Sequence, residues 1–301
     1  MAFKTPKNII LGTVLVIASV TGMAFAAGGG VSGEYKMKHP DWSFKGAFGT
    51  YDRAAVQRGY QVYREVCAAC HSLKYVAFRH LGDKGGPYYL EDFSNPSDNP
   101  YVKNFAADWQ VADIDSETGD QIERPGTPAD YFPLPFPNEP AARASNGGAL
   151  PPDLSNMVKA RSGGADYLYN LLISYDTPKP DDVELTPGLH WNPVMSGGKI
   201  AMAAPLSDEI VSYEPVEIID HGEVKVVDAP LETVEQLASD VTYFLAWTAD
   251  PKLEQRKRIG FMTIIYLLIL SILLFLSYKR CLLYTSPSPR DLSTSRMPSS
   301  A

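Results

Sequence analysis

The residues most able to do chemistry stand together in "CAACH": Cys67, Cys70 and, directly after it, His71. This C-x-x-C-H spacing is the pattern for covalent haem attachment. The vinyl groups of haem sit on neighbouring pyrrole rings. Two thiols one helical turn apart can add across them and leave thioethers, and the next histidine then supplies the proximal nitrogen. Three other uses compete. A thioredoxin-type redox pair belongs in a βαβ setting that is missing here. A zinc site needs about four ligands, and no second Cys or His pair lies at zinc spacing. A plain structural disulfide stays open for an exported domain. The third cysteine, Cys281, is far away in sequence.

A sixth iron ligand must come from distant chain. Met157, Met195, Met202, His190 and His221 are the downstream candidates. "GGKIAMAAPL", Gly197 to Leu206, is the best setting, because Gly and Pro punctuate a loop that can lay the Met202 sulfur on an open haem face.

The elements that position these residues are mostly helical. Asp52 is a good N-cap, and Val56, Tyr60, Tyr63 and Cys67 repeat at helical spacing, so a first helix delivers the cysteines at its C-terminal end. A second helical zone spans Leu154 to Tyr175, broken at Gly163-Gly164, with Leu168, Leu171, Leu172 and Tyr175 as its apolar stripe. "VEIIDHGEVKVV", Val216 to Val227, reads as a hairpin turning at Asp220 to Glu223. The last helix before the apolar C-terminal run opens on a capping box, Thr233 with Gln236. Its stripe is Val234, Leu237, Ala238, Val241, Phe244 and Leu245. Asp250-Pro251 reads as an N-cap with Pro at N1, restarting a helix. Residues 27–50 carry Tyr35, Trp42, Phe44 and Phe48 and read as an irregular arm over the domain. Residues 82–152 show little periodicity, and "PADYFPLPFPNEP" reads as unable to form a helix.

Composition bounds the partners. The chain has 301 residues with a formal net charge of −8, which argues against nucleic acid and fits a basic partner. Three cysteines exclude a disulfide-rich scaffold. Residues 1–26 read as a secretory signal, with Lys4 and Lys7 before an apolar stretch and small residues at Ala24 to Ala26; an uncleaved anchor is the alternative. Near the end, Ile259 to Tyr278 carries no charge and matches the ~20 residues that cross a hydrocarbon core. Basic residues flank both ends, so export of the preceding domain sets the orientation, with the tail in the cytoplasm. The expected domains are a signal peptide (1–26), an exported haem c domain (27–250), a helix and transmembrane anchor (251–280) and a disordered tail (281–301). That tail is Ser/Pro/Arg-rich, or else an engineered scar or sequencing artefact.

Over roughly residues 40–280 the chain resembles the cytochrome c1 family. The segments that carry the likeness are "RGYQVYREVCAACHSLKYVAFRHL", "RPGTPADYFPLPFPNEPAARASNGGALPPDLS", "KARSGGADYLYNLL", "HWNPVMSGGKIAMAAPL", "DVTYFLAW" and "DPKLEQRKRIGF". The resemblance implies a mainly α, cytochrome c-like haem domain with long irregular loops and one C-terminal transmembrane helix. It implies one covalent haem c, held by Cys67 and Cys70, with His71 and Met202 as iron ligands. Arg161 matches the arginine that meets a haem propionate, where an ordinary surface charge is the bland alternative. Asn146, Pro152, Tyr167, Leu171 and Leu172 match pocket-lining positions. The implied work is one-electron transfer from the Rieske iron–sulfur protein to a basic cytochrome c, beside cytochrome b in the quinol–cytochrome c reductase. The haem domain would face the periplasmic side of a bacterial inner membrane, or the mitochondrial equivalent. A free-standing tethered shuttle and a haem or thiol redox sensor are the rival functions. Departures from the family are Ala203-Ala204 after Met202, Met195 at a usually aromatic position, and the tail from Cys281.

Overall fold

A computed structural model describes residues 35–220 and 223–285. The proposed signal peptide, His221 and the tail beyond Thr285 lie outside the described residues. What is described is mostly helical, with three two-stranded antiparallel pairs among the described residues.

The first helix, α1, runs Arg53–Val62, and the Asp52 side chain caps it by accepting from the Ala55 amide at 3.1 Å. The helix then widens into one π turn, Tyr63–Cys67. The last helix of this part of the chain is α6, Val234–Ala249, and α1 packs directly on it. The contact is closest at Gly59, where an added Cβ would sit 2.0 Å from the Asp240 carbonyl oxygen. Beside it, Arg58 donates two hydrogen bonds to the Asp240 carboxylate, at 2.9 and 3.0 Å, and both residues are buried. Thr233 caps α6, accepting from the Gln236 amide. The Gln236 side chain goes to Asp240 instead of back to the cap, so only half of the expected capping box forms. Leu237, Ala238, Val241, Phe244 and Leu245 are buried as the stripe requires, while Val234 is half-buried. Tyr60 of α1 and Tyr63 of the π turn tilt against Phe244 at 5.7 and 5.6 Å, so an aromatic core lies beneath the cysteine-bearing turn.

Residues 82–152 are more structured than expected. They hold α2 (Pro100–Ala107), the hairpin β1 (Gln110–Ile114) and β2 (Gln121–Pro125), and α3 (Glu139–Ser145). Both helices begin with proline in their first turn behind an asparagine cap, Asn99 and Asn138. Proline loses nothing there, since the first amides have no helical partner. Arg124 on β2 clamps this region: it donates to Asp113 on β1 and, at 2.7 and 3.0 Å, to Asp130. That guanidinium holds the Asp130 carboxyl far below the usual carboxylate range.

The second helical zone splits as expected. A short α4 (Met157–Ala160) is followed by α5 (Gly164–Ile173), and both break glycines, Gly163 and Gly164, have positive φ. The arm docks on α5: Asn170 accepts from Tyr35 and from the Lys38 amide, and Asp166 accepts from the Trp42 indole at 2.6 Å. A minimal pair of strands follows, β3 (His190–Trp191) and β4 (Lys199–Ile200), then the hairpin β5 (Val216–Asp220) and β6 (Glu223–Val227).

A separate compact unit comprises residues 43–50 and the C-terminal helix α7, Leu253–Thr285. The helix starts three residues beyond Asp250, which instead closes α6, so the expected N-cap at Asp250 is corrected. It also continues past Arg280, where the disordered tail was expected to begin. Leu253–Cys281 is long and apolar enough to cross a membrane, its most apolar 18 residues having a mean hydropathy of 2.8. The hydroxyls of Thr263 and Ser271 bond back to the carbonyls of Ile259 and Leu267, which satisfies them without water. Lys257 Nζ donates to the carbonyls of Phe44 and Gly49.

Candidate haem-attachment site

The π turn presents Cys67, and one further bend brings Cys70 and His71 around: the amides of Cys70 and His71 both donate to the Cys67 carbonyl, at 3.2 and 2.9 Å. Both thiols are free and half-buried. The protein packed round Cys67, and secondarily Cys70, pushes its thiol up to about 12.

His71 is fixed from a distant part of the chain. Its Nδ1–H donates to the Pro152 carbonyl at 2.8 Å. This leaves Nε2 as the lone-pair nitrogen, and a backbone carbonyl is a usual partner for a metal-ligating histidine. Burial lowers the His71 pKa, with the Pro152 bond opposing, so the ring is held neutral as a ligand must be. The neighbouring residues are stitched in the same way. Asp153 accepts from the Ser72 hydroxyl and the Lys74 amide, and Ser155 Oγ accepts from the Tyr75 amide. "ALPPDLS" therefore works as a strap across the segment after the cysteines.

The two loop methionines are treated differently. Tyr167 donates its hydroxyl toward the Met195 sulfur at 3.7 Å. Met202 is held through its backbone, its carbonyl accepting from Tyr175 at 3.0 Å. Asn192, fully buried, has a side chain that bonds Leu171 and Ser174 at the α5 end and the amides of Val194 and Met195. The Trp191 indole N–H is buried with no acceptor among the described residues.

Of the residues matched by resemblance, Cys67, Cys70, His71 and Pro152 are brought together. Tyr167, Leu171 and Leu172 lie half-buried on α5, the helix whose end holds the methionine loop. Asn146 closes α3, its side chain donating to the Ala142 carbonyl. Arg161 is exposed, with its guanidinium 3.3 Å from the Ala160 carbonyl. Asp153, Tyr175 and Asn192 were missed as site residues. Asn192 had a weak signal in its Asn-Pro turn; Tyr175 was read as apolar stripe.

Two free thiols three residues apart, followed directly by a neutral imidazole with one nitrogen already bonded, fit a covalently bound haem. The chemistry on offer is that of a c-type cytochrome. The Cytochrome C1 family model matches residues 42–284, and the chain belongs to that family. Its members are haem-carrying electron-transfer proteins with covalently bound haem c. The chain is 46% identical over 226 residues to cytochrome c1, heme protein, mitochondrial, of Saccharomyces cerevisiae, covering 75% of this chain and 65% of that one. It is 42% identical over 257 residues to cytochrome b/c1 of Bradyrhizobium diazoefficiens, covering 79% of this chain and 34% of that one. Cytochrome c1 of Rhodospirillum rubrum is 36% identical over 283 residues, covering 89% and 93%. The chain thus spans about a third of the Bradyrhizobium relative and just under two thirds of the yeast one.

Proposed function

We propose that this chain passes single electrons from a Rieske iron–sulfur protein to a cytochrome c, as the membrane-anchored haem subunit of a quinol–cytochrome c reductase. The observation that carries the reading is the Nδ1–H of His71 donating to the Pro152 carbonyl, directly after a free C-x-x-C pair, in a chain of the cytochrome c1 family. Cys67 and Cys70 would form the thioethers, and His71 and Met202 would be the axial ligands. Arg161 would meet a propionate, and Asn146, Pro152, Tyr167, Leu171 and Leu172 would line the pocket. When bound, haem c supplies a one-electron iron couple, whose potential a His/Met ligand pair raises. The chain's own residues hold the imidazole neutral and oriented, offer a thioether, and shelter the site with α5. They make and break no substrate bond, so the chain is an electron-transfer part of an oxidoreductase and no enzyme by itself.

The printed name of the Bradyrhizobium relative joins b and c1 in one protein, which supports a cytochrome b partner. The apolar α7 supports a single-pass anchor; export of the haem domain would put that domain on the outer side and the C-terminus in the cytoplasm. Detergent-solubilised protein purified through this chain should bring down b-type haem and a Rieske centre, and should reduce cytochrome c when given quinol. Recovery of a c-type haem protein alone, inert toward quinol, would establish the tethered shuttle instead.

A further inference from the structure

We propose that Asn192, with Tyr175, is the positioning pair that sets the Met202 loop. The inference rests on the haem c reading and on Met202 as ligand. The loop has little regular structure of its own. Its stem is the two-residue ladder β3–β4, in which His190 faces Ile200 and Trp191 faces Lys199. Met202 leaves this stem two residues later, so the stem's placement governs where its sulfur can go.

Asn192 ties that stem to the end of α5 by two side-chain bonds and braces its own turn with two more. Its Oδ1 accepts from the Ser174 hydroxyl at 3.1 Å and from the amides of Val194 and Met195 at 3.1 and 3.3 Å. Its Nδ2 donates to the Leu171 carbonyl at 2.9 Å. Its own amide donates to the Gly198 carbonyl, closing the turn. The side chain is wholly buried, so each of these bonds is unscreened by water and none has a solvent substitute. Gly198, with φ 71°, admits the Trp191 ring where a Cβ would stand 2.3 Å from it, which locks the turn against its stem. The second tie is the Tyr175 hydroxyl on the Met202 carbonyl. Leu171 is in the last turn of α5, Ser174 caps it and Tyr175 follows directly, so one helix end holds both the stem and the Met202 backbone. Neither residue needs to touch haem; each acts through the backbone that carries the sulfur.

The test uses the full-length membrane protein. In Asn192→Ala the alkaline-pyridine spectrum should still report haem c, while the far-red sulfur-to-iron band of the oxidised protein is lost and the reduced protein gains carbon monoxide binding. Asn99→Ala is the control, since Asn99 is also buried, with both ends of its amide bonded, but it caps α2. It should lower thermal stability and leave band and carbon monoxide resistance intact. Tyr175→Phe removes a single hydroxyl and should weaken the band, and it decides the matter if Asn192→Ala does not accumulate. An undiminished band in both Asn192→Ala and Tyr175→Phe would overturn the proposal, as would equal loss in Asn99→Ala. A parent protein lacking the haem c spectrum, or its far-red band, would overturn the underlying reading instead.

Discussion

At the scale of single residues, Met195 and Met202 carry the same thioether in one loop, and the fold separates them. The Met195 sulfur already accepts a hydroxyl, whereas Met202 is anchored only by its carbonyl. Met202→Leu should therefore abolish the far-red band, lower the midpoint potential and open the iron to carbon monoxide, and Met195→Leu should do none of these. The reverse pattern in spectra of the two variants would reassign the ligand and leave Cys67, Cys70 and His71 in place. Local chemistry of this kind is legible in sequence: C-x-x-C-H is read from adjacent positions because the vinyl spacing itself is short. Asn192 and Asp153 were not legible, since what marks them is a set of hydrogen bonds to residues far off in the chain.

Among the elements, the α1–α6 contact has the least room for change. A methyl at Gly59 would meet backbone, which cannot swing aside like a side chain end. Gly59→Ala should cost about 3 kcal/mol, the upper end for overpacking, and would strain the buried Arg58–Asp240 pair; chemical denaturation of parent and variant would measure it. The clamp round Arg124 gives a pH-dependent expectation. The folded Asp130 carboxyl titrates well below its ordinary 3.8, so its contribution is whole above that value and fades as pH falls toward the folded one. Asp130→Asn should melt below the parent at neutral pH, and the gap in melting temperature should close progressively in acid below about pH 4. Helices with clear caps and stripes, α1 and α6, were readable from the sequence. The helices α2 and α3 were not, because proline in a first turn looks like a breaker until the asparagine before it is recognised as the cap.

For the molecule as a whole, charge and topology both matter. The acidic runs at Asp108 to Asp120 and Asp181 to Glu184 motivate electrostatic docking of a basic cytochrome c, though the structure thins the first run. Asp108 pairs with Arg64 and Asp113 with Arg124, leaving the more exposed Glu117, Asp120, Asp181, Asp182 and Glu184 to steer a partner. With a Debye length of about 8 Å at physiological salt, reduction of a basic cytochrome c should slow as salt rises and after charge reversal at these five positions. Stopped-flow rates indifferent to both would show that docking does not depend on them. The strap across His71 has a kinetic consequence. Its bonds join residues 79 to 81 positions apart, from His71–Pro152 to Tyr75–Ser155. Closing a loop that long is an entropic penalty met once, and each doubling of length adds only about 0.6 kcal/mol, which is why α2, the first hairpin and α3 fit inside it so readily. The thiols need none of this closure, while the imbalance between the two imidazole nitrogens needs all of it. Thioether formation is therefore a local property of the chain and imidazole orientation a topological one, so a chain ending before residue 150 should still take up haem covalently yet leave the His71 ring free to turn.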